Sequence, residues 1–168
     1  MKYNETLNYI HSLGAFSAEA SLERITAVCA KLNNPQKDFK AFHIAGTNGK
    51  GSVCTFITSV LQAAGYRVGT FVSPFITDFC ERIQINGEYI SQEDLCRLSQ
   101  MVIDTGVSLT EFEFITAVGF LYFSENNIDI AVLETGLGGR FDATNVIDSP
   151  LVSVITKIGL DHTAVLGD

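Results

Sequence analysis

A chain of 168 residues, 46% of them hydrophobic, has the length of one domain, and at that size folding hides about 70% of the surface an unfolded chain exposes. Its net charge of −8 excludes a general nucleic-acid or anionic-membrane surface, so an anionic ligand must be drawn in by a local basic group. No apolar run approaches the roughly 18 residues of a membrane span, the start Met1-Lys2-Tyr3-Asn4-Glu5 lacks a secretory-signal layout, and Cys29, Cys54, Cys80 and Cys96 show no C-x-x-C spacing. The expectation is a cytoplasmic protein with reduced thiols, bound neither to nucleic acid nor to membrane.

The first pattern, residues 3–13, sets Leu7, Ile10, His11 and Leu13 on one side of a helix that ends at Gly14. Ser21 caps a second helix over residues 22–32, with Ile25, Val28, Cys29 and Leu32 apolar, and Asn33-Asn34-Pro35 closes it. A short apolar run at 41–45 enters a glycine-rich turn, after which Val53, Phe56, Ile57, Val60, Leu61 and Ala64 repeat at helical spacing up to Gly65. Residues 68–72 read as a buried parallel strand ended by Ser73-Pro74.

Residues 81–85 and 88–90 flank Asn86-Gly87, the pair favoured in a type I′ turn, and predict a hairpin outside the main sheet. Ser91 with Asp94 and Thr110 with Glu113 open two capped helices that run to about residues 104 and 125. Residues 128–133 and 151–155 are further buried strands, ending at Glu134 and near Thr156. Strands alternating with helices predict an α/β fold: a mostly parallel sheet with helices on both faces and a small β-hairpin, in one domain without repeats or linkers.

Two stretches carry chemistry. In Gly46-Thr47-Asn48-Gly49-Lys50-Gly51-Ser52 the glycines let successive N–H groups face one centre, and a helix starting there adds the positive end of its dipole. Lys50 supplies a charge for the β/γ-phosphates and Ser52 a hydroxyl for Mg²⁺. The strict G-x-x-x-x-G-K-[ST] pattern is not met, because Ile44 occupies its first glycine and Gly51 separates Lys50 from Ser52. The second stretch, residues 134–145, joins Gly136, Gly138 and Gly139 to Arg140, which can pair an anion, and Phe141, which can stack on a planar ring. Ligands of open parallel sheets gather at the carboxyl ends of the strands, and Ser73, Glu134 and Asp161-His162 also fall there. Mg²⁺ accepts oxygen donors such as Ser73 and Glu134 more readily than the imidazole of His162.

GTNGKGS at 46–52, SP at 73–74, ERIQING at 81–87, TEFEFIT at 110–116, ETGLGGRFDATN at 134–145 and IGLDH at 158–162 together resemble the bifunctional folylpolyglutamate synthase/dihydrofolate synthase family of Mur-ligase-like enzymes. The resemblance implies a P-loop domain like the central domain of those ligases. It implies ATP-dependent ligation of L-glutamate to folate or dihydropteroate through an acyl phosphate, by a monomer. It also implies that Thr47, Asn48, Gly49, Lys50, Gly51 and Ser52 hold ATP phosphates, with Lys50 stabilising the transferring group. Ser73, Glu134 and His162 correspond to the family's metal ligands, and Thr110, Glu111, Phe112, Glu113, Phe141, Asp142 and Ala143 to its pterin-side contacts. Thr110 and Glu113 are equally explained as a helix cap.

The family's members continue well beyond this length, with a metal-binding lysine and a C-terminal domain. The resemblance therefore implies that residues 1–168 are an N-terminal ATP-binding domain, catalytically deficient alone. Two other readings compete with it: a non-catalytic nucleotide- or folate-binding fragment, and a cell-wall amino-acid ligase of the same architecture.

Overall fold

The structure, a computed structural model, describes residues 1–14 and 21–159. Among these residues five α-helices, α1 (Tyr3–Ser12), α2 (Glu23–Lys31), α3 (Lys50–Ala63), α4 (Gln92–Asp104) and α5 (Glu111–Glu125), surround six strands, β1 (Lys40–Ala45), β2 (Val68–Phe71), β3 (Ile83–Ile85), β4 (Glu88–Tyr89), β5 (Ile130–Glu134) and β6 (Val152–Ile155). The strands form one sheet in the order β4-β3-β2-β5-β1-β6. β2, β5, β1 and β6 are parallel, and β3 and β4 add an antiparallel edge.

The α/β class, the mostly parallel sheet and the helices on both faces agree with the reading of the sequence. The hairpin does not lie outside the sheet: β3 pairs with β2, Phe71 opposite Ile83 and Gly69 opposite Ile85. Asn86 and Gly87 do make the expected turn, at φ 51° and 84°. The Asn86 side chain also accepts from the Val68 amide at 2.8 Å, docking the turn against the start of β2. Without the hairpin, the edge of β2 away from β5 would present unpaired backbone groups.

Period-two alternation divides the core. On β5, Ala131 and Leu133 join the large cluster that includes Ile10 of α1, Ile25 of α2, Leu95 of α4 and Phe114 of α5, whereas Val132 faces a smaller cluster with Cys54 of α3. Four helices thus cover one face and α3 the other. α3 is rotated from its expected register: it buries Cys54 and Thr58 and leaves Phe56 and Val60 70% and 68% exposed. The Thr58 hydroxyl is held by Thr70 of β2 at 2.9 Å, a polar anchor that apolar spacing does not reveal.

Capping follows the sequence signals closely. Ser91 accepts from the Asp94 amide, and Thr110 and Glu113 form a reciprocal capping box. The Ser21 hydroxyl accepts from the Glu23 amide at 3.4 Å, although the residue at the cap position itself is Leu22. All four cysteines are free, with Cys29, Cys54 and Cys80 buried. Among the described residues no helix is long and apolar enough to cross a membrane.

Candidate functional site

Because β1, β2, β5 and β6 run parallel, their carboxyl ends share one edge of the sheet, and the sequence motifs emerge there. β1 delivers Gly46, at φ 133°, and the turn closes at Gly49, at φ 86°, which caps α3. The amides of residues 49–52 bond to no backbone carbonyl among the described residues. They are the free donors of a helix N-terminus, and Lys50 starts that helix with its ammonium donating to the Thr47 carbonyl at 3.4 Å.

Thr47 and Asn48 are engaged differently. Their amides donate to the Lys157 carbonyl at 2.9 and 3.3 Å. The Thr47 hydroxyl lies 3.0 Å from both the carbonyl oxygen and the amide nitrogen of Gly159. The front of the turn is therefore tied to the segment after β6, and its amides without a backbone acceptor among the described residues are concentrated at residues 49–52.

Glu134, at the end of β5, is 4% exposed. Its Oε2 accepts from the Ser73 amide at 3.2 Å and lies 3.5 Å from the position a Cβ would take at Gly51, beneath the first turn of α3. Burial pushes its pKa up, opposed by the Ser73 amide and the Lys50 charge. Its other oxygen has no hydrogen-bond partner among the described residues. A buried carboxylate with one oxygen free beside a helix N-terminus is a fitting donor for a hard cation that also takes phosphate oxygens. Among the described residues no three His, Cys, Asp or Glu side chains form a metal cluster. Asp161 and His162, the other residues singled out at this edge, lie outside the described residues.

The 134–145 loop folds over the same edge. Ala45, Gly46, Thr47 and Lys50 on one side and Gly136 to Gly139 on the other line a cavity of about 330 Å³. Gly136 is required by packing: a Cβ there would meet the Phe112 ring at 2.6–2.9 Å. Phe112 is in turn edge-on to Phe71, with ring centroids 5.9 Å apart. Phe141 is 51% exposed, with the Arg140 guanidinium 5.4 Å from its ring centroid.

Asp142 is turned inward, 5% exposed. Its Oδ2 accepts from the Gly136 and Leu137 amides at 2.8 and 2.9 Å, and its Oδ1 from the Thr144 amide and hydroxyl. Burial raises its pKa while these donors, the Thr144 hydroxyl first, pull it down. Ala143 is buried beside it.

The α5 residues serve the fold visibly. Thr110 and Glu113 bond each other, and the buried Glu113 carboxylate pairs with Arg24 at 3.0 Å. Glu111 bridges Arg82 at 3.4 Å and His11 at 3.3 Å. The loop and α5 meet through Phe112 and Gly136, so the structure brings together the phosphate-type turn, Glu134 with Ser73, and the glycine-rich loop. Sequence reasoning missed Lys157, Gly159, Thr144, Arg24 and Arg82, whose roles come from contacts distant in the chain; for His43, only its place in the apolar run that leads into the motif was a signal.

No protein-family model matches the sequence. The chain is 47% identical to a dihydrofolate synthase/folylpolyglutamate synthase of Bacillus subtilis, over 99% of this chain and 40% of that protein. Among solved structures it is similar to the apo form of L. casei folylpolyglutamate synthase, with a TM-score of 0.94 and 43% identity over 99% of this chain and 43% of that one. It is equally similar to a complex of folylpolyglutamate synthase with AMPPCP and folate, with a TM-score of 0.95 and 42% identity over 100% of this chain and 43% of that one. The chain spans about 40% of the length of the curated relatives it matches.

Proposed function

Because this chain belongs to the family of folylpolyglutamate and dihydrofolate synthases, as a homologue spanning about 40% of their length, we propose that it forms the nucleotide-binding domain of an ATP-dependent ligase. The reaction is addition of L-glutamate to folate or dihydropteroate. The observation that carries the reading is the first turn of α3, where the amides of residues 49–52 have no backbone acceptor among the described residues and Lys50 lines the cavity it shares with the glycine-rich loop. The relative solved with AMPPCP and folate supports both ligand classes.

In this reading the substrate carboxylate attacks the γ-phosphorus of ATP, the bond to the bridging oxygen breaks, and ADP leaves with that oxygen. The amine of glutamate then attacks the acyl phosphate and releases phosphate and a proton. A carboxylate is a poor electrophile, and phosphorylation gives it a leaving group. Such transfer needs positioning and charge neutralisation rather than a protein nucleophile. The amides of residues 49–52 and Lys50 bind the phosphates and spread developing charge. Glu134 and Ser73 would hold Mg²⁺ with His162 as a further ligand; when bound, the ion neutralises the phosphate oxygens. The pterin-side contacts of this reading are Thr110, Glu111, Phe112, Glu113, Phe141, Asp142 and Ala143, of which Phe112 packs against Gly136 of the loop.

Residues 1–168 act as one P-loop domain, monomeric and cytoplasmic, with free thiols suited to a reducing compartment. The domain binds ligands but gives no robust turnover alone, because its relatives bring more than twice this length to the reaction. Calorimetric titration of the chain with ATP and Mg²⁺ tests the site. Saturable binding is expected, weakened at least about tenfold by Lys50→Ala, as fits the loss of a charged hydrogen-bond donor. A folded wild-type chain that binds no nucleotide overturns the proposal. Stabilisation by a nucleotide-sugar peptide in place of dihydropteroate moves the assignment to cell-wall ligases.

A further inference from the structure

His43 lies on β1, three residues before the glycine turn, and is 7% exposed. Side chains alternate along the strand, so His43 and Ala45 point to the face opposite Ile44, which packs toward α3. The 134–145 loop lies on their face: a Cβ at Gly139 would stand 3.7 Å from that of Ala45, and Thr144 Oγ1 lies 2.8 Å from His43 Nε2.

The protons in this contact can be placed. Thr144 has one hydroxyl proton, and Asp142 Oδ1, a carboxylate oxygen, takes it. Thr144 Oγ1 must then accept from His43, so the imidazole carries its proton on Nε2. Burial, opposed by the Asp142 charge, lowers the His43 pKa from 6.5 and favours the neutral ring. From His43 the chain of donors runs through Thr144 to Asp142, whose second oxygen gathers the Gly136 and Leu137 amides. One carboxylate therefore closes the loop at both ends, and one histidine anchors that closure to the strand feeding the phosphate turn.

We propose that His43 is a positioning residue: through Thr144 it orients Asp142 and thereby sets the shape of the 134–145 loop for the carboxylate substrate. The substrate part rests on the ligase reading above; the relay rests on the hydrogen bonds alone. His43 touches neither the amides of residues 49–52 nor Lys50, so its loss acts on the loop and spares the phosphate turn.

The test uses the 168-residue chain with His43→Leu, Thr144→Val and the conservative Thr144→Ser. Amide hydrogen exchange is read at Gly136 and Leu137 and, as internal reference, in α3 and β5. Titrations with ATP and Mg²⁺, and with dihydropteroate in the presence of AMPPCP, follow. His43→Leu and Thr144→Val are expected to lower protection at Gly136 and Leu137 at least about tenfold, the size of one lost bond in a charged network, and to weaken dihydropteroate to a similar extent. ATP affinity and the reference amides should stay at wild-type values, and Thr144→Ser should behave as wild type.

Unchanged protection at Gly136 and Leu137 in both disruptive variants overturns the relay. Equal loss of both ligands, or loss of reference protection, overturns it as a positioning device and makes it a general stability contact. If the wild-type chain binds ATP but no dihydropteroate while the variants still lose loop protection, the substrate reading fails and the relay stands.

Discussion

Gly46→Ala tests how the phosphate turn is built. Gly46 has φ 133°, and a Cβ there would stand 2.1 Å from Thr156 Oγ1 and 3.1 Å from both the Cβ and the amide nitrogen of Thr156. The backbone conformation costs a non-glycine residue about 1–3 kcal/mol, and forcing Thr156 aside costs about 1–3 kcal/mol more. Thr156 cannot withdraw freely, because its amide donates to the Ala45 carbonyl at 2.8 Å. The expected loss of about 2–6 kcal/mol, for 168 residues unfolding with about 2.1 cal/mol/K each, lowers Tm by about 6–17 °C. Calorimetry of Gly46→Ala in wild-type and Thr156→Ala backgrounds separates the two contributions. The Thr156 hydroxyl is buried without a partner among the described residues, so Thr156→Ala alone should be mild, and in that background Gly46→Ala should cost about 1–3 kcal/mol less. Equal cost in both backgrounds refutes the collision, and a total below about 1 kcal/mol refutes the backbone argument as well.

Three further outcomes follow from the packing and the charges. Gly69→Ala on β2 would put a Cβ 2.6 Å from Ile128 Cδ1 and 2.8 Å from Phe123 Cδ1; a loss of about 1–3 kcal/mol is expected in urea denaturation, without change in the slope. Thr110→Ala removes the hydroxyl that accepts from the Glu113 amide and donates to the Glu113 carboxylate, leaving the other half of the α5 capping box, the residue-110 amide on that carboxylate, and should cost about 1–2 kcal/mol, with Thr110→Ser recovering most of it. The Glu81 carboxylate is held at a pKa of about 2, by the Thr77 hydroxyl first and then by the amides of Ile76, Asp78 and Thr77. Its folded pKa lies below its unfolded one, so its contribution is complete above about pH 4.5 and is lost as pH falls toward 2. The stability gap between wild type and Glu81→Gln should accordingly narrow between pH 5 and 2, and a gap that stays constant would refute the assignment.

What was legible in the sequence was local. The caps at Ser91 and Thr110 and the turn at Asn86-Gly87 depend on bonds within three residues, or on one residue's φ, so the residue types themselves declare them. The strands showed as apolar runs, and the parallel arrangement that lines up Gly46, Ser73 and Glu134 followed from the alternation of strands and helices.

The placement of the hairpin, the register of α3 and the state of each site group were decided by tertiary structure. The hairpin joined the sheet because β2 would otherwise keep an open edge, which nothing in residues 81–90 reports. Phe56 and Val60 continue a helical apolar pattern, yet Thr58 is the residue that turns inward, because its hydroxyl meets Thr70. Thr47 reads as a phosphate contact, but its amide and hydroxyl are taken by Lys157 and Gly159, more than a hundred positions later. Asp142 enters through the resemblance as a pterin-side contact; the bend of its own loop makes it the acceptor that gathers Gly136, Leu137 and Thr144, and β1 adds His43 behind it. A sequence displays the propensity of each segment. Which buried donor meets which acceptor is set only when distant segments pack, because the cost of leaving a buried polar group unpaired arises at that moment.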